Sequence, residues 1–287
     1  MSLPFVLERG IFGPRLTLTG PWSQSIAEYM RREQIRELYL NHSRGWRGTT
    51  LDFLTGFQEL EAFSILDFTI DDVSPVHQLT GLRALELSTY CRTKIDFGQF
   101  PFLERAVFYW RDGSDSLFDS TNLRWLFVHR YNGHSSQPFA RLSRLEGLSI
   151  ANSDLRELKS LASLRNLRFL GLYNLKQINS LQGVETLNQL EALEINGCRR
   201  FGRIDELATL VRLRRLQLND DGSIASLTPL RTARELEEVL FYESTNIVDG
   251  DLSPLAMLPR LRHVSFQNRR HYSHKREQFP LAGASQS

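Results

Sequence analysis

The sequence predicts an α/β solenoid, with a parallel β-sheet on the concave face and turns with short 3-10 or helical segments on the convex face. Three observations carry this. Leucine supplies 47 of 287 residues. The pattern L-x-x-L-x-L recurs at a nearly constant interval, which is the mark of stacked structural repeats. The residue after each leading apolar position alternates between arginine and glutamate along the whole series.

The pattern is plainest at Leu82-Arg83-Ala84-Leu85-Glu86-Leu87 and Leu145-Glu146-Gly147-Leu148-Ser149-Ile150. With Ile, Val, Phe and one Ala accepted at the apolar slots, units start at Ile35, Leu60, Leu82, Leu103, Leu123, Leu145, Leu167, Leu190, Leu213, Leu236 and Leu261. Within a unit the fourth and sixth residues, such as Leu216 and Leu218, alternate with polar neighbours, as in a short strand with one buried face. The return segments carry apolar residues three apart, as at Leu155, Leu158, Leu161 and Leu164, which suits 3-10 turns. Prolines at Pro75, Pro229 and Pro254 argue against long helices there.

Residues 1–34 are expected to form an amino-terminal cap. Leu16 and Leu18 make a partial strand, and a capping helix follows, with Ser25 and Glu28 at capping-box spacing and an apolar stripe of Trp22, Ile26, Tyr29 and Met30. The eleven repeats occupy 35–268. Residues 269–287, opening Arg-Arg-His-Tyr-Ser-His-Lys-Arg, are read as a basic flexible tail.

The second positions read Arg36, Glu61, Arg83, Glu104, Arg124, Glu146, Arg168, Glu191, Arg214, Glu237 and Arg262. Equivalent residues in a parallel stack lie about 4.8 Å apart, so each charge meets its opposite on both sides and an ion-pair ladder is expected.

These motifs resemble those of leucine-rich repeat proteins, over about residues 13–268. Segments such as Asp251-Leu252-Ser253-Pro254-Leu255 look like the turn of the short bacterial, internalin-like class. The resemblance implies an asparagine at the ninth position of each unit, bonding the backbone of neighbouring turns. Here that position holds Ser43, Phe68, Tyr90, Arg111, Tyr131, Ser153, Leu175, Cys198, Asp221, Ser244 and Arg269. Only Ser, Asp and Cys substitute in part, so irregular turns are expected between Phe68 and Tyr131.

Side chains at the third, fifth and seventh positions face out from the concave sheet, where repeat proteins commonly bind. They are aromatic and basic in one stretch: Arg105, Val107 and Tyr109 followed by Trp110, then Trp125, Phe127 and His129 followed by Arg130. A unit of small residues follows, Gly147, Ser149 and Ala151, and then Phe169 and Tyr173 flank Gly171. A recess between two aromatic shelves is the expectation. Farther along the face turns acidic and polar, with Glu194 and Tyr242 as candidate contacts, and Glu86 and Glu37 add negative charge on the other side. Exposed aromatics and arginine form the composition of a protein-binding hot spot.

Other functions fit less well. With 35 Lys+Arg against 33 Asp+Glu and a net charge of +2, the composition does not point to nucleic acid or an anionic membrane. Mean hydropathy is −0.31, and no apolar run is long enough to span a bilayer. Phosphate-loop, zinc-protease, C-x-x-C and serine-hydrolase motifs are missing, so no enzyme, cofactor or metal is expected. His271 and His274 have no partner ligands nearby in sequence. Cys198 reads as a buried structural thiol. Two distant cysteines and a start without an export signal point to a reducing, cytoplasmic compartment. The reading is a non-catalytic monomer that binds a protein partner on its concave face. The alternative is an inhibitor or immunity protein that neutralises a toxin or enzyme, with single-stranded nucleic acid a more distant option.

Overall fold

The computed structural model describes residues 4–279. The chain divides into two compact units, Met1–Val128 and His129–Ser287. Repeats interact mainly with their nearest neighbours, so a repeat array lacks the single shared core that would bind it into one unit.

In the first unit, β1 (Phe5–Arg9) and β2 (Pro14–Leu18) form an antiparallel hairpin, and α1 (Gln24–Arg32) follows. Then come β3 (Glu37–Asn41), β4 (Ala62–Leu66), β5 (Ala84–Ser88), β6 (Arg105–Tyr109) and β7 (Trp125–His129, its last residue opening the second unit), in chain order in the sheet. Each of β3 to β7 starts two residues after the predicted unit start. Register aligns Leu16, Leu38, Phe63, Leu85 and Ala106 side by side, and all are buried. Strand β1 was not foreseen. Helix α1 is capped by Ser23 without a side-chain bond, so the expected capping box at Ser25 does not form. The helix is held by burial of Ile26 and Met30 and by stacking of the preceding Trp22 on Phe53 at 4.1 Å.

The second unit carries β8 (Gly147–Ala151), β9 (Phe169–Tyr173), β10 (Ala192–Asn196), β11 (Arg215–Asn219), β12 (Ser223–Ile224), β13 (Glu238–Phe241), β14 (Asn246–Ile247), α2 (Ser253–Ala256) and β15 (His263–Phe266). The long strands are parallel and in chain order, while β12 pairs with β14 on the return side. The three-residue leucine period becomes a chain of 3-10 bonds: Leu161 N–H donates to Leu158 O, Leu164 to Leu161 and Leu167 to Leu164.

Residues 269–279, read from the sequence as the start of a flexible tail, pack on the last repeat. Tyr272 and Phe279 are buried, the Tyr272 hydroxyl accepts from Ile247 N–H at 3.1 Å, and Phe279 meets Phe266 edge-on. The aromatic side chains between the basic ones cover the apolar end that a repeat stack must close. The rest of the predicted tail, 280–287, lies outside the described residues.

The turns after the strands differ between the units, and one dihedral accounts for much of the difference. In the second unit the eighth residue of successive repeats is left-handed: Arg130, Asn152, Asn174, Gly197, Asp220 and Glu243 have φ between 53° and 73°. Each of the first five donates its N–H to the seventh residue of the next repeat, as Asn174 does to Asn196 O at 2.7 Å. After the first five of these turns the ninth residue lies inward, so Tyr131, Ser153, Leu175, Cys198 and Asp221 are buried, whereas after Glu243 Ser244 is exposed and Thr245 is buried instead. No eighth residue of the first unit has positive φ. There Asp67 and Thr89 point inward, and Phe68 and Tyr90 are 44% and 53% exposed.

The inner ladder is more complete than the ninth-position residues suggested. Leu175 N–H donates to Cys198 Sγ, Cys198 N–H to Asp221 Oδ1, and Asp221 N–H to Thr245 Oγ1. Thr245 takes the place expected of Ser244. Arginine also substitutes, by donating to carbonyls: Arg111 is buried and bonds Tyr109 O and Thr89 O, and Arg269 bonds Glu243 O and Thr245 O.

The charge ladder forms in runs. Glu61 lies 2.9 Å from Arg36 and 3.2 Å from Arg83, and Arg83 reaches Glu104 at 2.9 Å. The Arg36 hydrogen bond holds the Glu61 carboxyl below the usual range, with Arg83 assisting. In the second unit Arg168 pairs with Glu191 and Arg214 with Glu237. Among the described residues no ion pair joins Glu191 to Arg214 or Glu237 to Arg262. Because these groups remain in contact with water, Glu61→Arg is expected to lower stability by only about 1 kcal/mol. Urea unfolding at low and high salt checks this, since the loss should shrink as salt screens the two like-charge junctions.

Candidate functional site

In the first unit β6 places Arg105, Val107 and Tyr109 on the open face of the sheet, all half-buried. The Arg105 guanidinium lies 5.1 Å from the ring centre of Trp125 on β7, a cation–π contact. Burial pushes the Arg105 pKa down, against the Glu104 charge. Phe127 is half-buried on the same strand. Trp110 packs instead against buried Phe108 and Phe118, at 5.9 and 5.6 Å, and so anchors the turn.

Tyr109 joins two residues absent from the predicted site. Its ring meets Tyr90 edge-on at 5.4 Å and Phe68 at 5.9 Å, and Phe68 and Tyr90 lie 4.5 Å apart. The signal was present in the sequence: two aromatic residues stand where an inward polar residue was expected. Their outward direction follows from the turn described above.

In the second unit His129 is half-buried, and burial together with the Arg130 charge lowers its pKa. Arg130 is exposed at a left-handed position. Phe169 and Tyr173 stand on β9, with Glu194 beside them on β10, and the Tyr173 hydroxyl donates to Glu194 Oε2 at 2.6 Å. Burial, then that hydrogen bond, pushes the Tyr173 phenol well above its usual range. The Tyr173 ring folds back over Gly171, where an added Cβ would lie 2.6 Å from it. The ring thus covers Gly171, and Gly147, Ser149 and Ala151, the small residues expected to floor a recess, are buried. Tyr242, on the far side of β11, bonds Ser265 through its hydroxyl.

The acidic stretches of the face are largely engaged. Glu238 contacts His263 at 2.9 Å, and Asp220 binds Arg199 through both oxygens. Burial pushes Glu86 up. Glu37, expected to add surface charge, is buried. Its carboxylate accepts the N–H groups of Ile11, Phe12 and Gly13 at 2.5 to 2.9 Å, so its charge is used inside the amino-terminal hairpin.

Among the described residues no group of three or more His, Cys, Asp or Glu is placed to hold a metal ion. Burial pushes the Cys198 thiol up to about 12, far from a nucleophile's range. No helix of the described residues is long and apolar enough to cross a membrane.

No protein-family profile matches the chain, and no curated protein sequence matches it. Solved structures do. An internalin, InlF, of Listeria monocytogenes shares 21% identity over 89% of this chain and 87% of its own, with a TM-score of 0.56. Internalin C2 of the same organism shares 21% over 74% and 84%, with a TM-score of 0.52. A leucine-rich-repeat protein of Leptospira interrogans shares 14% over 88% and 77%, with a TM-score of 0.50. Repeat spacing, strand register and these likenesses agree that the chain has the α/β leucine-rich-repeat fold, built on the internalin pattern of parallel strands returned by 3-10 turns.

Proposed function

We propose that the chain is a non-catalytic recognition module that docks a protein partner on the open face of its sheet. The observation that carries this reading is the aromatic cluster of exposed Phe68 and Tyr90 with half-buried Tyr109 in the first unit, beside the Arg105–Trp125 pair on neighbouring strands. The inward leucines already supply the core, so these rings are not needed for folding. Clustered aromatics beside arginine give large contact area at low entropic cost. Val107 and Phe127 complete this surface. In the second unit the corresponding candidates are Phe169, Tyr173 and Glu194, with His129, Arg130 and Tyr242 around them.

We read the compartment as cytoplasmic and reducing, supported by the two free thiols, Cys91 and Cys198. We read the protein as monomeric, supported by residues 269–279 covering the last repeat. Affinity capture with the wild type, Tyr90→Ala/Tyr109→Ala and Trp125→Ala/Tyr173→Ala tests the docking face. The expected result is loss of a specific protein partner from one or both variants, with thermal unfolding little changed. Retention of the same partners by both places recognition elsewhere.

A further inference from the structure

One break in the charge ladder of the second unit coincides with a groove of about 760 Å³. Four arginines line it: Arg212, Arg214, Arg231 and Arg234. Its two carboxylates have arginine partners outside the lining, Glu191 loosely with Arg168 at 3.7 Å and Glu235 with Arg260. The lining arginines have long or neutral partners. Arg214 reaches Glu237 only at 3.5 Å and Arg231 reaches Asp251 only at 3.9 Å. Arg212 donates to the neutral Gln189. The Arg234 side chain makes no hydrogen bond or ion pair with any described residue.

We infer that this groove is a binding site for a phosphate-bearing ligand. Arg212 stands one residue before the repeat start Leu213 and Arg234 two before Leu236, on adjacent repeats spaced by about 5 Å, and both line the groove. A phosphate presents three terminal oxygens to two forks, and guanidinium matches that geometry bidentately. Exposed Val211 on the lining and the arginine stems offer apolar contact to the body that carries the phosphate. Glu191 and Glu235 repel an extended polyanion and restrict the site to a compact charge. The site is independent of the aromatic surface proposed above.

The test is titration of the full chain with inorganic pyrophosphate, followed by thermal shift and calorimetry, against sodium chloride at matched ionic strength. A saturable upshift is expected, with affinity at least about tenfold weaker in Arg212→Gln/Arg234→Gln and unchanged in Tyr90→Ala/Tyr109→Ala. Absence of a saturable shift beyond the chloride control, or equal binding by the arginine variant, overturns the inference. A phosphoserine peptide and its serine counterpart distinguish the source. Competition by the phosphopeptide alone places the phosphate on a protein, and competition by neither leaves a free phosphorylated molecule. Equal competition by a non-phosphorylated acidic peptide overturns the assignment to phosphate.

Discussion

Asp221→Asn is expected to stabilise the protein at pH 8 and to flatten its stability between about pH 4 and pH 8. Asp221 is 0% exposed. Its Oδ1 accepts from Cys198 N–H at 2.8 Å, while its Oδ2 is buried without a hydrogen-bond partner. Burial, aided by the charge of Asp220, pushes the carboxyl from 3.8 up to about 7; Arg199 opposes this but is hydrogen-bonded to Asp220. Cys198 and Thr245, packed on either side, bring no charge to it at neutral pH. Between those two pKa values the folded chain keeps a proton that the unfolded chain has released. Stability therefore falls as pH rises from about 4 through about 7, then stays at its lower level. About three pH units correspond to a ceiling of roughly 4 kcal/mol. Asparagine keeps the acceptor, carries no charge and places an amide where the repeat pattern uses one. Urea unfolding of both proteins from pH 5 to pH 8 reads the difference. A gain in the variant that is as large at pH 5 as at pH 8 would sink the account.

Glu37→Ala should cost about 2 to 3 kcal/mol of stability. One carboxylate answers three consecutive N–H groups of the β1–β2 loop, and each charge-assisted bond contributes more than a neutral one. Water replaces part of the loss, because Ile11 is exposed. The loop is built around the carboxylate: a Cβ at Gly10 would lie 2.0 Å from Glu37 Oε2. Hydrogen exchange at Ile11, Phe12 and Gly13 should accelerate in the variant before exchange in β5 changes. Unchanged protection at those three amides would show that the hairpin is held by its strand pairing with β3 alone.

The strands were readable because burial of leucine is a local, periodic demand. The units predicted at Leu82 and Leu213 open strands at Ala84 and Arg215, and the leucine triplet from Leu155 closes as successive 3-10 bonds. The ninth column was read less well. Arg111 and Arg269 looked like breaks in an amide ladder, yet a long guanidinium can fold inward and donate to carbonyls when the turn leaves room. Tyr173 was placed on an aromatic shelf beside a recess, but its ring occupies the space that Gly171 vacates. Phe68 and Tyr90 were read as disruptions of the turns and are the most exposed rings of the candidate surface.

By itself the sequence determined the repeat, its register, the inward leucine face and the alternation of charge, because each depends on spacing along the chain. Only the tertiary structure decided which charges meet, which face the turn residues take and which acids are consumed inside. Those outcomes hang on single dihedrals and on side chains that reach across repeats. A left-handed eighth residue precedes the inward Cys198 and Asp221, and without it Phe68 and Tyr90 face water, although Arg111 folds inward without one and Ser244 stays outside despite one. That rotation is invisible to a pattern of residue types, and it separates a ladder rung from a candidate binding surface.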